Sequence, residues 1–178
     1  MNTDALEHIA LDVGEKTIRY DGEVVDCLIY TGAIDELFGG RYGALPYRSL
    51  ELRYEHFDEV SHLPSEIVSY PQATGYTRST EYRKIMYDDS HAQGSTIVTE
   101  YPLAYDPHSK NANIPYYPVV TEESSKTYQK YLSDAQRING LFLCGRLAEF
   151  KYYNMDVCIE HALAYYEKIK EYLEKCGN

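Results

Sequence analysis

The sequence predicts an α+β fold, an antiparallel sheet flanked by a hairpin and strand and by a strand–helix unit. Three observations predict it. Between residues 47 and 101 strand-like runs follow one another with no helical period between them, which implies antiparallel neighbours. An Asp-Gly pair at Asp21-Gly22 separates two strand-like runs, the signal of a tight hairpin. Late in the chain, the short unbroken apolar run 141–144 is followed by a long helical periodicity.

Composition bounds the function. The 178 residues suffice for one domain, or one and a half, with a real core. With 17 basic and 28 acidic side chains the net charge is -11, which argues against nucleic-acid binding by broad phosphate neutralisation. A phosphorylated ligand would have to be held by a few placed cations. No apolar run approaches membrane-spanning length and no leader-like segment opens the chain, so the expected location is the cytoplasm, away from the membrane. Cys27, Cys144, Cys158 and Cys176 are widely spaced, without a C-x-x-C pair, so neither disulfides nor a metal site is expected. The chain has 20 Tyr and no Trp, which suits either an aromatic-rich sheet or a cleft lined with phenol hydroxyls.

Three segments are expected. Residues 1–45 hold the hairpin (17–20 and 23–27), a strand continuing from Val24 to Tyr30, and a turn at Thr31-Gly32. Gly39-Gly40-Arg41-Tyr42-Gly43 lacks the spacing of a dinucleotide fingerprint and reads as a mobile surface loop. Residues 46–120 form the antiparallel sheet. Leu50, Leu52 and Tyr54 alternate with Glu51, Arg53 and Glu55, a strand with one wet face. Strands at 66–70, 77–85 and 95–101 follow, separated by turn chemistry at Pro71, Gly75 and 88–94. A polar loop at 106–112 leads to Ile114-Pro115-Tyr116-Tyr117-Pro118, where paired prolines force extended backbone. Residues 121–178 hold a helix capped by Thr121, with Tyr128, Tyr131, Leu132 and Ala135 inward, then the buried strand and the last helix.

That helix begins after Asn154, a good N-cap, and Gly177 stands where it should stop. Met155, Ile159, Ala162, Leu163, Tyr166, Ile169 and Leu173 recur at helical spacing. A strand feeding a helix N-terminus, with Arg146 nearby, is a place for an electron-rich ligand, although many such units bind nothing. Arg78 has a planar fork suited to phosphate oxygens, but an isolated arginine on a sheet more often makes a cross-strand ion pair with a neighbouring Glu. Glu100, at a strand end, is read by itself as a solvated acid.

Several motifs, taken in order, carry a family likeness: Tyr30-Thr31-Gly32-Ala33-Ile34-Asp35, Tyr47-Arg48-Ser49-Leu50, Tyr76-Thr77-Arg78, Gly145-Arg146-Leu147 and Tyr152-Tyr153-Asn154-Met155-Asp156. Together they resemble the later half of UDP-galactopyranose mutases, from the hairpin to the last helix. Ala33 stands where the family has Pro, and Asn154 where it usually has Asp. The resemblance implies that the flanking hairpin/strand and strand–helix pieces are remnants of a flavin-binding domain. It implies FAD as cofactor, reached by Gly32, Gly145, Arg146, Tyr153, Asn154 and Met155. It implies UDP-galactose as substrate, contacted by Arg78, Glu100, Tyr117 and Tyr152, with Arg78, Tyr117 and Tyr152 converging on one pocket. In the family, reduced flavin attacks the anomeric carbon, UDP leaves, and the sugar recloses as the furanose.

The amino-terminal dinucleotide fingerprint is missing, so this chain alone is expected to retain FAD poorly, to be inactive, and to carry no independent catalytic residue. Its expected partner is a second copy, as a homodimer, or an amino-terminal FAD-domain segment. Two other readings stay open: a non-catalytic mutase-like domain that self-associates or complements a separate FAD-domain chain, and an unrelated sugar-nucleotide binder needing no flavin.

Overall fold

Asp21 and Gly22, at φ +50° and +85°, reverse the chain as an Asp-Gly pair at a type I′ turn requires. In chain order the strands are β1 (Ile9–Asp12), β2 (Thr17–Tyr20), β3 (Glu23–Val25), β4 (Leu28–Tyr30) and β5 (Tyr47–Phe57). They continue with β6 (Ile67–Ser69), β7 (Arg78–Glu81), β8 (Ser95–Ala104), β9 (Tyr117–Pro118) and β10 (Leu141–Leu143). The helices are α1 (Ile34–Leu37), α2 (Tyr82–Ile85), α3 (Glu122–Ala135) and α4 (Met155–Cys176). This computed structural model describes residues 3–59, 61–86, 93–109 and 114–176. Gly177, the turn residues 88–92 and the loop residues 110–112 lie outside the described residues. The chain packs as two units, residues 1–47 with 115–178, and residues 48–114.

In the first unit, β1, β2 and β3 form an antiparallel sheet in that order. β1 has no counterpart in the sequence reading. The strand expected to run unbroken from Val24 to Tyr30 divides at Asp26-Cys27, because its two halves take different partners. β3 stays with β2, whereas β4 pairs in parallel with β10, Ile29 opposite Phe142. The Leu28 amide donates to the Gly140 carbonyl (2.9 Å) and the Cys144 amide to Tyr30 (3.0 Å), extending that ladder at both ends. Side chains from α1, α3 and the 144–150 turn build the core: Ile34, Phe38, Tyr131, Ala135, Ala148 and Phe150 are all buried. Phe150 lies between Tyr47 (5.6 Å between ring centroids) and Tyr128 (5.5 Å), so part of the tyrosine excess is core packing.

α3 opens on Thr121, whose hydroxyl accepts from the Ser124 amide while Ser124 answers to the Thr121 amide, a reciprocal cap. Tyr128, Tyr131 and Ala135 face inward as the period predicts. The glycine-rich loop 39–43, expected to be mobile, is instead tied to α3. The Tyr42 amide donates to Tyr131, and the Tyr42 hydroxyl (2.7 Å) and Arg41 (3.2 Å) both reach Asp134.

In the second unit β6, β7, β8 and β5 lie side by side, each pair antiparallel. The 77–85 run stops as a strand at Glu81 and turns into α2. Glu81 is fully buried and accepts from the amides of His62 and Leu63 and from the Ser95 hydroxyl (2.7 Å). That fixed carboxylate is a tertiary feature, which strand propensity cannot anticipate. The molecule is therefore mixed α and β with antiparallel sheets, and among the described residues no helix is long and apolar enough to cross a membrane.

Candidate functional site

Two residues beyond β10 stands Gly145, whose φ of +100° only glycine adopts easily, and which has open space where a Cβ would stand. The chain then winds through a tight turn: the Glu149 amide donates to Gly145 (2.9 Å) and the Lys151 amide to Arg146 (3.0 Å). It emerges at Tyr152-Tyr153-Asn154 and enters α4 at Met155. The Asn154 carbonyl accepts from the Cys158 amide (3.1 Å), which puts Asn154 in the capping position expected of it.

Glu149, unnoticed in the sequence, organises this turn. Its nearly buried carboxylate accepts from the Gly145 amide (3.1 Å) at one end of the turn and from the Tyr153 hydroxyl at the other. His161 Nδ1, on α4, lies 3.2 Å from both of its oxygens. Burial pushes the Glu149 pKa up, but the donors from Tyr153, His161 and Gly145 outweigh burial and hold it below the ordinary carboxylate range. Burial, then the hydrogen bond to Glu149 and its charge, push Tyr153 above the usual phenol value. The one available signal was an acid set inside the otherwise apolar run 147–150.

The outer side of the turn carries the predicted ligand groups. Arg146 places its guanidinium 5.1 Å from the centre of the Tyr117 ring, and the Tyr117 and Tyr152 rings are 5.2 Å apart. Tyr152 is exposed and Tyr117 half-buried. β9 is extended because Pro118 follows Tyr117, and the Val119 amide fixes it to the Pro46 carbonyl (2.8 Å). So a cation and two phenols, residues predicted to contact ligand, stand together beside the start of α4. The Tyr153 hydroxyl turns inward and donates to Glu149, leaving its backbone amide as the group expected at the flavin.

Gly32 meets a steric demand of its own. A Cβ there would sit 2.5 Å from the Tyr30 hydroxyl, because the Tyr30 side chain folds back to donate to the Ala33 carbonyl (3.1 Å). Just beyond, buried Asp35 accepts from the Leu45 amide (2.8 Å) and the Tyr47 hydroxyl (2.9 Å), joining the loop to the start of β5.

Arg78 and Glu100 belong to the second unit. They are direct register partners on β7 and β8, and both Nε (2.8 Å) and Nη2 (2.6 Å) of Arg78 donate to one oxygen of Glu100. The cross-strand ion pair weighed for an isolated arginine is thus present. The Arg78 side chain remains 45% exposed. Neighbouring Tyr101 carries the Arg53 guanidinium 4.0 Å above its ring and has the Tyr76 ring 6.1 Å away. Among the described residues no cluster of three metal-ligating side chains occurs.

A glycine turn after a parallel strand, the start of a long helix and an arginine–phenol cluster beside it make a site, in a protein of mixed α and β structure, with the chemistry to receive an anionic group. The family model for UDP-galactopyranose mutase matches residues 1–152, and the chain belongs to that family. It is 33% identical over 132 residues to the UDP-galactopyranose mutase of Mycoplasma genitalium, covering 74% of this chain and 33% of the relative. The UDP-galactopyranose mutase of Mycoplasma pneumoniae is 30% identical over 80% of the chain and 36% of its own length. A dTDP-fucopyranose mutase of Escherichia coli is 30% identical over 88% of the chain and 42% of its own length. The chain thus spans between a third and about two fifths of the curated relatives it matches.

Proposed function

We propose that residues 1–178 are the carboxyl-terminal, substrate-side portion of a flavin-dependent isomerase converting UDP-galactopyranose to UDP-galactofuranose. The Arg146–Tyr117–Tyr152 cluster at the mouth of the Gly145 turn supports this reading most. Arg78, Tyr117 and Tyr152 would contact the diphosphate, and Glu100 the sugar. Arginine suits phosphate oxygens because its charge is permanent and its donors form a planar fork.

The residues present fit one edge of FAD. Gly145 has open space over its Cα, Arg146 stands beside it, and the amides from Tyr153 to Met155, at the head of α4, lie where a helix dipole is positive. Gly32 would lie on the same cofactor. Reduced FAD, when bound, supplies the nucleophile for the anomeric carbon. The protein's own share is electrostatic: cationic and phenolic donors stabilise the charge that grows on the diphosphate as it departs.

The residues also fit a portion that needs a complement. With a third to two fifths of the relatives' length, this chain is inactive by itself and gains FAD and turnover from an amino-terminal FAD-domain segment. Asn154, uncharged where the family usually has Asp, favours as a second reading a non-catalytic domain. The same assignment makes it a cytoplasmic protein.

Calorimetric titration with UDP tests the site. Saturable binding that weakens at least tenfold in both Arg78→Ala and Tyr117→Phe supports it, and absence of binding heat overturns it. Mixing with an amino-terminal mutase segment under reducing conditions separates the two readings. Turnover favours the enzyme, whereas a stable but inactive complex favours the non-catalytic domain.

A further inference from the structure

We propose that Glu149 and His161 are positioning residues for the turn that carries Arg146 and Tyr152: they touch no ligand, yet they set how firmly those two side chains are presented to one. The part that concerns a ligand rests on the reading of function given above. Each ligand group has its chain neighbour pinned to the same carboxylate. Gly145, next to Arg146, donates its amide to Oε2 of Glu149 (3.1 Å), and Tyr153, next to Tyr152, donates its hydroxyl to that same oxygen. With Tyr153 drawn inward, Tyr152 is left outside, 66% exposed. The bonds inside the turn, from Glu149 to Gly145 and from Lys151 to Arg146, shape its interior. The carboxylate closes the span between its two ends.

His161 fixes that carboxylate in turn. Oε2 already serves Gly145 and Tyr153, while among the described residues Oε1 has His161 Nδ1 as its partner, at 3.2 Å. An ionised carboxylate only accepts, so Nδ1 carries the proton. Without this donor the carboxylate can turn about its last bond, and a nearly buried oxygen is left unsatisfied. His161 is a firm anchor because α4 is seated on β10. Tyr165 and Tyr172, on the same face of the helix, lie edge-on to Phe142 at 6.4 and 5.7 Å, and the Tyr153 ring packs 5.1 Å from the imidazole. Contacts therefore run from β10 through α4 to Glu149, and from there to both ends of the turn.

The sign of the effect separates positioning from plain charge. Glu149 is an acid standing behind a site for anions, so charge by itself makes Glu149→Gln bind a diphosphate more tightly. Positioning makes it bind less tightly, because the ligand must then order Arg146 and Tyr152 for itself.

Two readouts on the full chain test this, both taken well below each variant's unfolding midpoint. One is the contact between the Tyr117 and Tyr152 rings, 5.2 Å apart, read as a nuclear Overhauser effect with labelled tyrosine. The other is calorimetric affinity for UDP. His161→Leu and Glu149→Gln should each lose the ring contact and bind UDP about tenfold more weakly, as expected when two side chains are ordered only on binding. His161→Asn, whose amide nitrogen stands where Nδ1 stood, should restore both. A ring contact kept in His161→Leu, UDP bound as tightly or more tightly by Glu149→Gln, or equal losses in His161→Asn and His161→Leu overturns the proposal. The two histidine variants decide it where Glu149→Gln does not fold. If the unaltered chain binds no UDP, the reading of function fails, while the ring contact still decides the positioning.

Discussion

The Nδ1 atom of His161 sits 3.2 Å from both carboxylate oxygens of Glu149, joining the second turn of α4 to the loop that holds Arg146 and Tyr152. The candidate ligand groups on that loop are therefore held from behind by a charge that never faces them.

Replacing Glu149 with Gln should loosen this arrangement. Three donors converge on the carboxylate, and the amide cannot satisfy them all, so urea unfolding should show a loss of roughly 2 kcal/mol. The pH dependence has a definite sign. The Glu149 pKa is depressed in the folded protein, so its contribution is complete above the ordinary carboxylate range and is lost as pH falls through the folded value. Midpoints measured between neutral and acid pH should fall less steeply in Glu149→Gln than in the unaltered chain.

Gly32 and Gly145 should respond to alanine for different reasons. At Gly32 the new methyl would collide with the buried Tyr30 ring, which its bond to Ala33 holds in place, at a cost of about 1–3 kcal/mol. Combining Gly32→Ala with Tyr30→Leu should give strongly non-additive losses in a double-mutant cycle. At Gly145 nothing is struck, and only the strain of a positive φ, about 1 kcal/mol, is expected.

Glu81→Ala should be among the most damaging single changes in the second unit. It strands the His62 and Leu63 amides and the Ser95 hydroxyl, with Lys84 3.6 Å away, and a loss of roughly 3 kcal/mol is expected by chemical denaturation. Burial raises the Glu81 pKa, but these donors outweigh it and the net shift is downward. Its stabilisation therefore also fades as pH falls.

The Arg78–Glu100 pair separates stability from binding. Arg78 keeps nearly half of its side chain in water while Glu100 is largely covered, so the pair contributes about 1 kcal/mol to folding and both Glu100→Gln and Arg78→Ala should lower the midpoint only slightly. Their effects on UDP should be opposite. Glu100→Gln removes the competitor for the guanidinium and should tighten binding, whereas Arg78→Ala should weaken it. Arg78→Lys, which keeps charge without the fork, should fall between.

What the sequence determined by itself is what neighbours a few residues apart decide. The Asp21-Gly22 reversal, the Thr121 cap and the placement of Asn154 at the head of α4 are all of this kind, as are the residues that mark the family. The alternation expected along β5 fails, because Leu52 and Tyr54 are exposed together with Glu51, Arg53 and Glu55 and both faces of the strand are wet there. Tertiary structure alone decided which partner each segment took. β3 and β4 read as one strand because both suit extended backbone. Only the distant run at β10 draws β4 away from the hairpin. Glu81 and Glu149 read as ordinary acids until folding surrounds them with donors. The stripe on α4 announced a buried face, yet its neighbour on the helix, rich in tyrosine, packs against Phe142 and leaves that stripe outward. Periodicity reports that a surface must be covered, but what covers it depends on contacts the local chain does not contain.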